Sequence, residues 1–190
     1  MKKRFEDSLP SGYKEIFVID GKNKRFFILF NVVSITLGFL LILLFTFITK
    51  IKYWEIDSVY LLIFCIWIIV YIVLHELVHG FFYKIFTSRK LTFGFSLTYA
   101  YCGVPNLYVY RRYALITTLG PFVVFNIISL VAYFIFKDPS IKYLILVFLS
   151  LHISGCVGDL YNSILLLFKY KDQSILINDT GIKQTLYSNK

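Results

Sequence analysis

Charge is scarce in this chain. Of 190 residues only 16% are charged, against 58% hydrophobic and 19% aromatic. That balance lies far outside the soluble average and argues against an ordinary water-soluble domain. Histidine is rarer still, with three in the whole chain, and there are four glutamates. Cys65, Cys102 and Cys156 form no CxxC pair, and two of them fall inside apolar runs, so a disulfide framework is not expected. They read as small apolar packing residues, with Cys156 the one to watch because it stands one turn before Asp159. No internal repeat and no low-complexity tract is present.

What is abundant is long apolar sequence. Four runs stand out, at 26–49, 57–86, 113–136 and 141–168. Each exceeds the ~20 residues needed to cross ~30 Å of hydrocarbon. The first is too long for a cleavable signal and lacks a small-residue cleavage site after it. The expectation is an α-helical polytopic membrane protein, one domain over residues 1–190 with four transmembrane helices.

The net charge of +9 is an orientation signal. Lys and Arg number seven before the first run, two around the first loop, five around the second, two around the third and four in the tail. That alternation follows the positive-inside rule and puts both termini and the second loop in the cytoplasm. The basic excess suits the bilayer and its anionic lipids; nucleic acid is not expected as a partner.

Between the runs, residues 1–25 are polar, and Leu9-Pro10-Ser11-Gly12-Tyr13 reads as a turn with a short surface element. The stretch "LTFGFSLTYAYCGVPNLYVYRR" has β-branched and aromatic residues interleaved with Gly and Ser, and Gly103–Asn106 supplies a turn. A cytoplasmic-side β-hairpin over 91–111, with arms 91–102 and 106–111, is expected between the second and third spans. Residues 169–190 read as an extended or loosely folded cytoplasmic tail.

The second run contains "IVYIVLHELVHGFF", which buries His75, Glu76 and His79 in apolar sequence. Polar groups in hydrocarbon cost several kcal/mol unless something satisfies them. His75 and His79 are i and i+4, so on a helix both imidazoles project from one face with Glu76 beside them. This is the H-E-x-x-H arrangement of zinc sites, in which the carboxylate activates water next to the metal. One zinc per chain is the cofactor expected.

Catalytic zinc needs a third protein ligand and an open position. The fourth run offers His152 and Asp159. Spans two and four run in the same direction, so depth can be counted: His75 is 18 residues after Asp57, and Asp159 is 18 residues after Ile141. Both lie ~27 Å along their helices, whereas His152 lies ~10 Å away from that level. Asp159 is therefore the expected ligand, and His152 an interhelical hydrogen-bonding residue. Gly155 and Gly158 would let the fourth helix approach the second closely. Asn162, one turn beyond Asp159, could orient its carboxylate. In the third run Gly120 and Pro121 sit at the depth of His79, and Asn126 could donate to a developing oxyanion or simply pack between helices.

Taken together, H-E-L-V-H in a membrane helix, a following hairpin, L-G-P-F-V-V-F-N and a later intramembrane G-D resemble the site-2 protease class of intramembrane zinc metalloproteases. The four-span layout, with L-P-S-G-Y and S-G-C-V-G-D, is more similar to a small bacterial family described as "putative zincin membrane peptidases". The resemblance implies His75, His79 and Asp159 as zinc ligands, Glu76 as the base, and residence in a bacterial plasma membrane. Two features depart from the site-2 pattern. Asn-Pro-Asp-Gly is replaced by Val157-Gly158-Asp159-Leu160, and no PDZ-like module is present. Substrate selection would then rest on the membrane core and the hairpin.

The activity expected is hydrolysis of peptide bonds in membrane-embedded or membrane-associated substrates. A helical substrate must unwind before attack, and the hairpin edge at Thr92, Gly94, Ser96 and Thr98 could hold it as an added strand. Two other classes fit the same motif. A zinc or divalent-metal transporter would need polar residues along a whole path, and the outer halves of these runs hold few. A membrane scaffold could keep zinc for stability alone.

Overall fold

The computed structural model describes residues 3–50, 56–95 and 100–189. The chain is mostly helical with a small sheet. In order, it forms β1 (Phe5–Glu6), β2 (Lys14–Asp20), α1 (Lys24–Thr49) and α2 (Ser58–Thr87). These are followed by β3 (Thr92–Phe95), β4 (Ala100–Gly103), β5 (Tyr108–Tyr110), α3 (Arg111–Ile135), α4 (Pro139–Gly155) and α5 (Val157–Ile164). A π-helical turn (Leu165–Lys169) leads to β6 (Leu176–Asp179) and β7 (Lys183–Ser188).

Among the described residues α1, α2 and α3 are each long and apolar enough to cross a membrane, and a fourth span exists if the broken pair that begins at Pro139 counts as one. The fourth run is thus not the continuous helix expected from 141 to 168. It breaks at Cys156, whose amide donates back to His152 and Ser154. Gly155 and Gly158 flank the break, and each is ~1 kcal/mol worse than alanine in a helix interior. Neither serves close helix approach among the described residues, where a Cβ at either position would meet nothing within 4 Å.

Two compact units emerge. One comprises Leu29–Val73 and Phe122–Gly158, the other Met1–Ile28, Leu74–Pro121 and Asp159–Lys190. The described residues of the first unit form helices and no strand. Its outward surface is apolar, with Ile35 71% and Phe47 81% exposed, as suits side chains meeting lipid. Inside, small and polar residues join the helices. Ser34 donates to the Ser154 carbonyl at 2.6 Å, Thr46 meets the Tyr143 hydroxyl at 2.8 Å, and a Cβ on buried Gly38 would crowd Ser154. Such contacts replace the hydrophobic drive that lipid removes.

The second unit holds a five-stranded antiparallel sheet, order β1-β5-β6-β7-β2. Tyr83, Val104, Leu107, Val109, Leu166, Ile177 and Leu186 form its core. This corrects two expectations. The chain after Lys169 is not a loose tail, because β6 and β7 complete the sheet and Leu176 and Leu186 are fully buried. The polar average of that segment hides alternation in "LIND" and "KQTLYS", joined by a tight turn in which Gly181 has φ +86°. Likewise, residues 106–111 do not form the second arm of a hairpin. Among the described residues β3 pairs with β4 alone, Thr92 opposite Gly103, while β5 pairs with β1 and β6. The polar N-terminal segment supplies β1 and β2, the latter pairing along β7 with a bulge between Glu15 and Phe17.

Candidate metal centre

α2 carries His75, Glu76 and His79 on consecutive turns within the second unit, and the two imidazole centroids lie 5.0 Å apart. Asp159 comes from α5, in its first turn. The break at Cys156 is what makes Asp159 an N-terminal helix residue, where the helix dipole favours a carboxylate. Asp159 Oδ2 lies 3.2 Å from His75 Nε2 and 3.4 Å from His79 Nε2. The three groups are largely enclosed, with side-chain exposures of 13% for His75, 11% for His79 and 23% for Asp159.

His79 is oriented by a partner that the sequence itself marks. Its Nδ1 donates to the Thr117 carbonyl at 2.9 Å. Within α3 that carbonyl would normally accept from the amide of residue 121, but Pro121 has no N–H. The freed acceptor is used by the imidazole, which holds the proton on Nδ1 and turns Nε2 toward Asp159. Gly120 makes room for this approach, since a Cβ there would run into the Phe82 ring of α2.

The donor set fits zinc. His75, His79 and Asp159 each offer one ligand atom, all within 4.8 Å of one another. Two imidazoles and a carboxylate leave one position open, as in catalytic sites. The His79–Thr117 bond is the outer contact that metal-ligating histidines make through their second nitrogen. Glu76, half-buried beside them, interacts electrostatically with His79, His75 and Asp159.

The remaining sequence candidates are placed elsewhere. Asn162 is buried and its amide donates to Gln184 Oε1, so its nitrogen is engaged away from the Asp159 carboxylate. Asn126 belongs to the other unit and donates to the Phe122 carbonyl of its own helix at 2.6 Å. Thr92 and Gly94 lie on β3, where the Thr92 hydroxyl donates to the Gly103 carbonyl; Ser96 and Thr98 lie outside the described residues. His152, fully buried in the helical unit, accepts from the Tyr71 hydroxyl at Nδ1 (2.7 Å) and donates from Nε2 to the Phe122 carbonyl (3.3 Å). All three cysteines are free.

Sequence reasoning passed over Tyr83, Asp179 and Gln184, which join α2 to the C-terminal strands. Asp179 is buried and accepts three hydrogen bonds. Burial nonetheless raises its carboxyl above the ordinary carboxylate range. The signal available was Asp179-Thr180-Gly181, a turn between two β-prone runs.

Helices long and apolar enough to cross a membrane, together with a pair of histidines and two carboxylates gathered at one site, are consistent with a membrane protein of metallohydrolase type. The chain belongs to the family described as "Putative zincin peptidase", whose model matches residues 68–175, more than half of the chain. At the level of the family this is a zinc metallopeptidase. No curated protein and no solved structure matches it.

Proposed function

We propose that this protein is a zinc-dependent intramembrane endopeptidase, with His75, His79 and Asp159 holding one zinc ion and Glu76 acting as general base and acid. The observation that carries the reading is the convergence of those three donor atoms within 4.8 Å, beside Glu76, on apolar helices of a zincin-family chain. Bound zinc supplies Lewis-acid polarisation of the scissile carbonyl and a lowered pKa for the attacking water. The chain supplies the rest. Glu76 takes a proton onto its carboxylate and returns it to the leaving amide nitrogen, so the departing group is a neutral amine. Thr117 keeps the His79 proton on Nδ1, which leaves Nε2 as a lone-pair donor throughout. The substrates are membrane-embedded or membrane-associated peptides, because the helices around the site face lipid. β3 supports a holding role for such a peptide. Among the described residues it pairs on one side only, with β4, and its Phe93 and Phe95 are exposed. The basic-residue distribution supports cytoplasmic termini, and the family resemblance supports multi-pass residence in a bacterial plasma membrane.

The test compares membranes containing the wild-type chain with membranes containing Glu76→Gln, by quantitative proteomics of peptide termini. Glu76→Gln should retain zinc and lose cleavage. Equal sets of termini in the two samples would refute the peptidase reading and leave zinc to a structural role.

A further inference from the structure

The two elements that carry the proposed zinc ligands have no local reason to keep their spacing. α5 is eight residues long, bounded by the break at Cys156 and by a π-helical turn. A metal site tolerates only ~0.5 Å of slack in its donors, so a short segment of this kind needs outside support. Arg111 provides part of it, donating from Nε to the Leu166 carbonyl at 2.7 Å, but that contact lies two turns beyond Asp159.

Nearer the ligands runs a buried chain of polar contacts. Tyr83 lies one turn after His79 on α2, and its hydroxyl donates to Asp179 Oδ2 at 2.5 Å. Gln184, on β7, donates from Nε2 to the same oxygen at 2.9 Å, and the Gly181 amide donates to Oδ1 at 2.7 Å. The other end of the Gln184 amide, Oε1, accepts from Asn162 Nδ2, one turn after Asp159 on α5. Tyr83, Asp179 and Asn162 are only 2%, 4% and 3% exposed.

We propose that the β6–β7 hairpin is a positioning element of the metal site, acting through the relay Tyr83–Asp179–Gln184–Asn162 to hold α5 at its distance from α2. With Asp179 ionised, one set of directions satisfies the relay. A carboxylate accepts from three donors, which obliges Gln184 to present its nitrogen to Asp179 and its oxygen to Asn162. Asn162 must then turn its nitrogen inward, leaving its own carbonyl oxygen buried without a hydrogen bond among the described residues. A residue with only a packing role would not need that destabilising orientation. Asparagine at 179 could not substitute, because one of its two faces would set an N–H against a donor. The hairpin lies outside residues 68–175, so the relay joins the family's matched segment to a part of the chain beyond it.

The inference rests on the zinc reading above. Its test uses the full chain in detergent, with zinc affinity measured by chelator competition, the cobalt(II) visible spectrum, and the thermal transition of the metal-free protein. Tyr83→Phe and Gln184→Met should each weaken zinc about 10- to 100-fold and alter the cobalt spectrum, as loss of outer contacts does. The double variant should be no weaker than the stronger single, since either cut severs the same series connection. If Gln184→Met does not accumulate, Asn162→Leu replaces it. Variants that lower the thermal transition while keeping wild-type zinc affinity and cobalt spectrum would overturn the relay and leave the zinc reading intact. Additive losses in the double variant would also overturn it. A wild-type chain that takes up neither zinc nor cobalt would overturn both.

Discussion

Replacing Pro121 by alanine should strengthen the helix and weaken the metal site. Proline in a helix interior costs ~3 kcal/mol relative to alanine, so Pro121→Ala restores an amide and removes a ring from the turn after Thr117. The gain will fall short of that figure. The Thr117 carbonyl already accepts from His79 Nδ1 at 2.9 Å, and a net hydrogen bond is worth ~1 kcal/mol. The restored amide competes for that carbonyl, and its remaining lone pair permits only a shared bond. Sharing weakens the contact that fixes the His79 proton on Nδ1 and aims Nε2 at the site. Outer contacts of this kind carry ~10- to 100-fold in metal affinity, or ~1.4–2.7 kcal/mol. Metal-free Pro121→Ala protein should therefore melt several degrees higher than wild type, while its zinc dissociation constant rises at least tenfold. Thermal melts without metal and chelator competition with it measure the two quantities on one preparation. A variant that melts higher and binds zinc as tightly as wild type would refute the argument that the freed carbonyl positions His79.

The remaining predictions are shorter. His75→Ala, His79→Ala and Asp159→Ala should each abolish stoichiometric zinc by elemental analysis. His152→Ala should keep it and cost ~2–3 kcal/mol of stability through the broken Tyr71 and Phe122 contacts; zinc lost with His152 but kept without Asp159 would reverse the ligand assignment. Burial pushes the Cys102 thiol on β4 from 9.0 up to about 12. In a Cys65→Ala, Cys156→Ala chain, maleimide labelling at pH 8 should be ~1000-fold slower folded than denatured. The sign is that of a raised folded value: the stabilisation is complete below pH 9, where the thiol is neutral in both states, and is lost as pH rises toward 12. Labelling at equal rates would show the strand open to solvent. Reporter fusions at residue 104 and at the C-terminus should read cytoplasmic and one at Asp138 external, by the basic-residue count; an external C-terminus would sink the four-span layout.

Much of this protein is written locally. Apolar length makes α1, α2 and α3 capable of crossing a bilayer whatever surrounds them, because a helix satisfies its own backbone. The i, i+4 spacing of His75 and His79 puts them on one face by helix geometry alone, and Pro121 frees the Thr117 carbonyl by its chemistry alone. Pairing is different. Whether 106–111 would lie against 91–102 or against strands from both chain ends depends on which partner buries Val109, and local alternation is the same in either case. The polar average of 169–190 concealed β6 and β7 for the same reason, since a strand needs only every second residue to be apolar. Asp159 and His75 are 84 positions apart, so no local rule brings them to 3.2 Å. That approach requires a helix broken at Cys156 and an eight-residue α5, with long-range hydrogen bonds from Asn162 of α5 to Gln184 and from Arg111 to the Leu166 carbonyl in the turn that follows. Such contacts join residues distant in sequence, and only the folded chain can place them together.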